Sequence, residues 1–175
     1  MTVSIGDISQ SFRSSVVIPV MRTQRSGKII NITSVGGVWG QPFNDIYCAS
    51  KFAVEGLAES QAGLLRTFNV YETCVQPGGI KTAFVENAVR PDMTKTPADY
   101  AKPMMSTVEA YRTNSSAQTA EEVAQVVMDK VVHVEHPPLK VQTNPAIQAV
   151  FQAQLADTTG EQGVKMQARF FPKEE

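Results

Sequence analysis

The 175-residue chain is 42% hydrophobic and 19% charged, which excludes a disordered or collagen-like protein. Its formal net charge of −1 provides no basic field for nucleic acid, and its two cysteines are too few for a disulfide scaffold. We therefore expect a single domain over residues 1–175 with its own hydrophobic core.

No segment predicts secretion or a membrane span. The apolar run at residues 16–21 is short and is broken by Pro19, unlike a signal peptide. No run approaches the ~20 apolar residues that a membrane span needs, so we expect a cytoplasmic protein. Phe170 and Phe171 leave two alternatives open, which are peripheral contact with a membrane and burial of both rings by the protein itself.

Helix and strand patterns alternate through the first half of the chain. They predict a helix at residues 8–22, a strand at 28–33, a helix at 46–67 and a strand at 70–76. Asp45 is the predicted N-cap of the second helix. This alternation is typical of a parallel sheet with crossover helices, so we predict an α/β, Rossmann-like fold.

The segment at residues 83–118 mixes methionine and aromatic side chains with polar ones. Pro91, Pro97 and Pro103 are predicted to break helices within it. Methionine adapts to irregular apolar shapes, so the segment suits a lid over an apolar substrate, and ordinary packing is the alternative for each side chain.

The last part of the chain contains a helix start signal. Thr119 and Glu122 have the spacing of a capping box, which predicts a helix to about residue 132. A short strand is predicted at residues 139–142. Residues 144–175 form a C-terminal extension with a helical period.

Four side chains able to bind metal or change redox state carry no predicted site. Cys48 and Cys74 have no metal-ligand spacing, so we expect buried thiols. His133 and His136 have no further ligand at a suitable spacing, so we predict no metal site.

Ser34, Tyr47 and Lys51 are the most informative residues of the chain. Tyr47 and Lys51 are four residues apart in a predicted helix, so they share one helical face. A free phenol has a pKa near ~10, and a neighbouring ammonium group favours its ionised form. Tyr47 can then act as a general acid or base, while Ser34 holds the reacting oxygen by a hydrogen bond. The implied chemistry is alcohol–carbonyl interconversion.

A Tyr-x-x-x-Lys pair alone is a weak motif, but here it lies among other features in a fixed order. A strand ends at Ser34, a helix carries Tyr47 and Lys51, and a second strand ends at the Pro77-Gly78-Gly79 turn. Because crossovers are right-handed, Ser34 and this turn should meet at the carboxyl edge of the sheet, where such sheets bind ligands.

The order and identity of these residues resemble the short-chain dehydrogenase/reductase family. Ser34, Tyr47 and Lys51 match its catalytic residues in type and spacing, and Pro77-Gly78 with Thr82 match its proline-glycine turn. Residues 31–38 and 41–48 are most similar to the branch of photoreceptor retinol dehydrogenase and type 1 17-beta-hydroxysteroid dehydrogenase.

The resemblance implies hydride transfer between NADP, or NAD, and a lipophilic alcohol or ketone such as a retinoid or steroid. It implies that Tyr47 exchanges the proton and that Lys51 lowers the pKa of Tyr47 and reaches the ribose. Ser34 would orient the substrate oxygen. The turn at Pro77-Gly78 would lie against the nicotinamide, with Ile80 and Thr82 contacting its carboxamide.

One part of the family pattern is missing. A dinucleotide site needs a glycine-rich turn between the first strand and helix, but Gly6 is the only glycine before Gly27. No asparagine precedes Asn31, so the family's catalytic asparagine is also missing. We therefore expect a sheet that lacks the first βαβαβ half. The alternatives to an active enzyme are an inactive isoform that binds full-length subunits and an incomplete product with no role.

The helix at residues 46–67 carries a stripe of small residues that allows close packing. In the family this helix helps to form a dimer face. Two partners for the stripe remain open, which are a second copy of the chain and this chain's own sheet. The stripe consists of Ala49, Ala53, Gly56, Ser60 and Gly63.

Overall fold

The structure is a computed structural model that describes residues 9–83, 94–113 and 116–171, with side chains from residue 16 onward. Its strands and helices alternate, as the sequence predicts. The strands are β1 (Gly27–Ile32), β2 (Val70–Gln76) and β3 (Lys140–Gln142). The helices are α1 (Ser9–Gln24), α2 (Asp45–Arg66), α3 (Ala98–Arg112), α4 (Ala120–Val127), α5 (Pro145–Ala156) and α6 (Glu161–Gln167).

The three strands form a parallel sheet in the order β1-β2-β3. Gly27 lies opposite Val70 at the start of the first pair, and the ladder continues to Ile32 opposite Val75. Beyond the strand, the Thr33 amide still donates to the Val75 carbonyl oxygen at 2.8 Å. The parallel sheet with helical crossovers confirms the predicted Rossmann-like class.

The two faces of the sheet differ in chemistry. On one face, Ile30 and Val75 form a buried apolar cluster with Val131 and Val141. Side chains alternate along a strand, so the neighbouring positions point to the opposite face, under α2. On that face Ile29 and Val70 pack with Leu65 near the start of the strands. Toward the carboxyl ends the buried residues are mostly polar, in contrast to the apolar faces usual for parallel strands. These later residues are Asn31, Thr33, Glu72, Cys74 and Gln76.

Helix α2 packs on this polar face through a buried stripe, which consists of Cys48, Lys51, Val54, Glu55, Ala58, Ala62 and Leu65. The predicted small-residue stripe lies on the exposed side of the helix instead, at Ala49, Ala53, Gly56, Ser60 and Gly63. A Cβ placed on Gly56 or Gly63 meets no atom within 4 Å. The interpretation that the small-residue stripe packs on the sheet is therefore wrong.

Two predicted boundaries need correction. Asp45 is the first residue of α2, and Asn44 holds the N-cap position without a side-chain hydrogen bond. A carboxylate in the first turn is still favourable because the helix dipole is positive there. Pro103 does not break α3 but lies inside it, since an interior proline removes one backbone hydrogen bond and can kink a helix without ending it.

The other helix predictions have mixed outcomes. The capping box of Thr119 and Glu122 is present at the start of α4. Helix α4 continues as a wider π-helical turn at Met128–Val132. The segment after Ser34 contains a short 3₁₀ turn at Val35–Gly37. Of the predicted lid, residues 84–93 and 114–115 lie outside the described residues, so Pro91 has no outcome.

The C-terminal extension packs against the loop that follows β1. Val35, Val38 and Trp39 of that loop form a buried cluster with Phe151 of α5. The Phe170 ring lies 5.9 Å from the ring of Trp39. The protein therefore covers Phe170. Among the described residues, no helix combines the length and apolar character needed to cross a membrane.

Candidate active site

Ser34 follows the end of β1 and begins the 3₁₀ turn. Its backbone is extended, and its Oγ accepts a hydrogen bond from the Gly36 amide at 3.0 Å. The next residue is fixed across the sheet, because the Val35 amide donates to the Pro77 carbonyl oxygen at 2.8 Å. Ser34 is only 7% exposed, so its hydroxyl has a defined place at the carboxyl edge of the sheet.

Helix α2 brings Tyr47 and Lys51 to the same edge. Lys51 is 6% exposed, and its Nζ donates to the Ile32 carbonyl oxygen at 3.1 Å. The same Nζ lies 5.6 Å from the centroid of the half-buried Tyr47 ring. A Cβ on Gly36 would lie 3.1 Å from Tyr47 Cε1, so a side chain there would press on the ring. The structure thus brings together the three residues selected from the sequence.

The pKa of Tyr47 is raised from its ordinary value. Burial of the phenol is the largest cause, because a phenolate loses hydration there. A hydrogen bond with the Ser34 side chain lowers the pKa in part, and the neighbouring Cys48 raises it. Desolvation therefore exceeds the favourable contribution of Ser34. The prediction that Lys51 lowers the Tyr47 pKa stays a prediction.

The Pro77-Gly78-Gly79 turn lies beside Ser34, as predicted, but α5 covers part of it. A Cβ on Gly78 would lie 2.5 Å from Ile147 Cδ1, so any larger residue there requires the Ile147 side chain to move. Ile80 pairs with Gln118 in a parallel bridge, which joins the turn to the start of α4. Thr82 is exposed, and its amide donates to the Ile80 carbonyl oxygen at 2.9 Å.

The sequence did not predict the contacts between the C-terminal extension and the loop that follows Ser34. Trp39 Nε1 donates to the Gly163 carbonyl oxygen at 3.3 Å, and Gln167 Nε2 donates to that of Gly40 at 2.8 Å. Helix α3 joins the same group, because the Tyr111 ring lies 5.4 Å from that of Phe170. The hydrophobic period of the extension was a signal for packing, but it did not identify the partner.

The two cysteines are buried, whereas the two histidines are exposed. Both Cys48 and Cys74 are buried free thiols, as predicted, and burial raises the pKa of each. His133 and His136 are exposed. Within residues 9–83, 94–113 and 116–171, no group of three or more His, Cys, Asp or Glu side chains could hold a metal ion.

Residues 10–93 match the sequence model of the short chain dehydrogenase family. Three curated relatives are similar to the chain. A 3-ketodihydrosphingosine reductase from Bacteroides thetaiotaomicron is 35% identical over 135 residues, which cover 77% of this chain and 50% of the relative. Human 17-beta-hydroxysteroid dehydrogenase type 1 is 34% identical over 150 residues, which cover 82% of this chain and 45% of the relative. Bovine retinol dehydrogenase 8 is 32% identical over 151 residues, which cover 82% of this chain and 48% of the relative.

Solved structures agree in fold. A short-chain dehydrogenase from Streptomyces avermitilis aligns with a TM-score of 0.66 at 19% identity, over 96% of this chain and 66% of the other. One from Burkholderia phymatum, solved with NAD, aligns with a TM-score of 0.63 at 22% identity, over 95% and 58%. The chain spans about half the length of the curated relatives it matches. Motif, fold and sequence similarity agree that this chain belongs to the short-chain dehydrogenase family.

Proposed function

We propose that this chain supplies the proton-transfer site of an NADP(H)-dependent oxidoreductase that interconverts a lipophilic alcohol and its carbonyl form. The observation that carries the proposal is the hydrogen bond between Ser34 and Tyr47, with the Lys51 amine 5.6 Å from the tyrosine ring. A hydroxyl, a phenol and an ammonium group in one place can orient an oxygen, exchange a proton with it and stabilise the resulting anion.

Each side chain has one role in the proposed reaction. Ser34 Oγ hydrogen-bonds the substrate oxygen and keeps it within reach of the phenol. Tyr47 donates its proton to a carbonyl oxygen in reduction and accepts the alcohol proton in oxidation. The raised pKa of Tyr47 leaves the phenol protonated near neutral pH, which is the form that donates to a carbonyl oxygen. Lys51 limits this rise because its positive charge favours the phenolate.

A nicotinamide cofactor supplies or accepts the hydride. Tyr47 and Lys51 fit the ribose end of such a cofactor, because a hydroxyl and an amine lie together at the carboxyl end of β1. Family members solved with NAD and with NADP support the cofactor class. We propose NADP, with NAD as the alternative.

The residues of the turn after β2 differ in how well they can contact the cofactor. Gly78 lies under Ile147, so its neighbour here is the α5 helix. Thr82 is exposed and Ile80 is half-buried, which leaves them better placed to reach a carboxamide. We therefore assign the carboxamide contacts to Ile80 and Thr82, and we assign to Pro77 and Gly78 the task of shaping the turn.

A lipophilic substrate is supported by the relatives. Their names refer to 3-ketodihydrosphingosine, 17-beta-hydroxysteroid and retinol, which share a large apolar skeleton with one reacting oxygen. Beside the site, Phe43 lies 6.3 Å from the Tyr100 ring of α3 and 6.4 Å from Phe171. These aromatic side chains are partly exposed and can line an apolar substrate. We propose a retinol–retinal or a 17-beta-hydroxy–keto steroid pair.

A second candidate is a catalytically inactive chain that acts by association. The exposed side of α2 favours it, because Ile46 is 85%, Phe52 45% and Leu64 64% exposed on one helix. These side chains accompany the exposed small residues between Ala49 and Gly63. A second copy of the chain, docked helix to helix, would cover them.

The two candidates differ in one measurement. Purified protein is assayed for nicotinamide absorbance change with retinal and with a 17-keto steroid. Tyr47→Phe keeps the ring and removes the proton, so turnover should fall by roughly 10²–10⁴-fold. Tyr71→Phe is the matched control, because its half-buried ring packs on His136 at the other end of β2. Equal turnover in Tyr47→Phe and the parent would contradict the proposed chemistry, whereas no turnover in any variant combined with a stable dimer would favour the second candidate.

A further inference from the structure

Helix α2 and the end of β1 are joined by three contacts. Tyr47, Lys51 and Glu55 are spaced by four residues, so they form one stripe along the helix. Tyr47 hydrogen-bonds the side chain of Ser34, and Lys51 donates to the Ile32 carbonyl oxygen at 3.1 Å.

The third contact joins Glu55 to Thr33, which lies between Ile32 and Ser34. Thr33 Oγ1 donates to Glu55 Oε1 at 2.5 Å, with the Val75 carbonyl oxygen 3.0 Å away. We propose that Glu55 is a positioning residue of the site, which fixes the backbone before Ser34 to the helix that carries Tyr47. The catalytic meaning of this inference rests on the proposed function, whereas the geometric coupling does not.

Packing holds Glu55 in this arrangement. Its side chain is 5% exposed, and a Cβ on Gly37 would lie 3.1 Å from Glu55 Cγ. The loop after Ser34 therefore closes over the carboxyl group from one side, and Thr33 binds it from the other. A shift of Glu55 must move Thr33 or the loop, and Ser34 lies between them.

An apolar side chain of similar size could be buried at the Glu55 position with a smaller loss of hydration free energy. Burial of a carboxyl group is unfavourable unless hydrogen bonds satisfy it. Within the described residues, Glu55 Oε2 is buried without a hydrogen-bond partner, so only one oxygen is satisfied. Packing alone does not account for such a group, whereas the hydrogen bond to Thr33 gives it a specific task.

The groups that surround Glu55 provide a matched control. Cys74 and Glu72 of β2 face it across the polar layer, and Lys140 of β3 lies near the same thiol. Glu72 is 2% exposed, accepts from Asn31 Nδ2 at 2.8 Å and also has one buried oxygen without a hydrogen-bond partner among the described residues. It therefore equals Glu55 in burial and hydrogen bonding, but its partner is not next to Ser34.

The test measures the pKa of the Tyr47 phenol in the 175-residue chain. The four tyrosines are labelled with ¹³C at Cζ and followed by NMR into the alkaline range, and Tyr47→Phe assigns the signal. Glu55→Leu should raise the Tyr47 pKa by roughly half a unit or more, because it weakens the Ser34 hydrogen bond that lowers this pKa. Loss of a negative charge alone would shift the pKa in the opposite direction.

Further variants separate positioning from general damage. Thr33→Val removes the same hydrogen bond with little change in volume and should reproduce the rise, whereas Thr33→Ser keeps the hydroxyl and should match the parent. Glu55→Gln keeps an acceptor for Thr33, so the Tyr47 pKa should not rise in this variant. Glu72→Leu should leave the Tyr47 pKa unchanged.

Three outcomes would overturn the proposal. One is a Tyr47 pKa that stays at the parent value in both Glu55→Leu and Thr33→Val. Another is a Thr33→Ser variant that behaves like Thr33→Val, and the third is an equal rise in Glu72→Leu. Because no step uses turnover, an inactive chain would contradict the proposed function and leave this test intact.

Discussion

Lys51→Met tests whether the ammonium group stabilises the ionised form of Tyr47. The substitution keeps a long side chain on the buried stripe of α2 and removes its charge. It also removes the donor to the Ile32 carbonyl oxygen, so we expect the free energy of unfolding to fall by about 1 kcal/mol. Lys51→Arg keeps the charge with a different shape and is the control.

The distance sets the size of the effect. The amine lies 5.6 Å from the ring centroid, and at that separation two unit charges interact by about 3 kcal/mol at an effective dielectric constant of ~20. In bulk water the same pair interacts by about 0.7 kcal/mol. At roughly 1.4 kcal/mol per unit, Lys51→Met should raise the Tyr47 pKa by between about half a unit and about two units. Since Lys51 is buried, we expect the upper part of this range.

The measurement is the ¹³C titration of Tyr47, with unfolding in urea followed by the fluorescence of the single tryptophan, Trp39. Trp39 is buried, so unfolding changes its surroundings. Lys51→Arg should shift the Tyr47 pKa less than Lys51→Met does. If Lys51→Met unfolds more easily but keeps the parent pKa at Tyr47, the lysine is structural and the proton-transfer role loses its electrostatic basis.

Four other outcomes follow from the structure. Ser34→Ala should raise the Tyr47 pKa further and reduce turnover less than loss of the phenol does, which the same titration and a rate assay check. Gly78→Ala should destabilise the chain by about 1–3 kcal/mol through overlap with Ile147, and Ile147→Ala should recover part of that loss in a double-mutant cycle; additive effects would contradict the contact. Because burial raises the pKa of Glu72, the stability contributed by its neutral form is fully present below about 4.5 and is lost as the pH rises through the raised value. Glu72→Gln should therefore stabilise the chain near neutral pH and not in acid. Gly56→Leu should leave monomer stability within about 1 kcal/mol and disrupt any dimer through α2, as sedimentation would show.

The sequence predicted the main elements because their signals are local. Hydrophobic runs and the capping box of Thr119 placed the strands and helices within a few residues. Two boundary details were wrong for reasons that local patterns do not reveal. Asp45 and Asn44 are both good N-caps, so composition cannot choose between them. Pro103 lies inside α3, and local composition does not distinguish a proline that kinks a helix from one that ends it.

The site was predictable only where spacing determines it. The four-residue interval between Tyr47 and Lys51 fixes their common face, and the parallel crossover fixes the edge at which Ser34 meets Pro77. The cover of Gly78 by Ile147 joins residues far apart in the chain, and no local pattern encodes it. The direction of the Tyr47 pKa shift was also not predictable, because it depends on how much of the phenol is buried.

Glu55 shows why the interior of this fold is harder to predict than its motif. In the sequence it is one acid among the 17 acidic residues, and on a helix such a side chain usually lies in solvent. The sequence shows that Glu55 is four residues from Lys51, but it does not show that Thr33 of the segment after β1 hydrogen-bonds Glu55. The exposed side of α2 carries Phe52, so the two proposed roles of the helix lie on different faces. Changes at Phe52 should therefore alter any association without moving the Tyr47 pKa, and changes at Glu55 should do the reverse, so the two proposals can be tested independently.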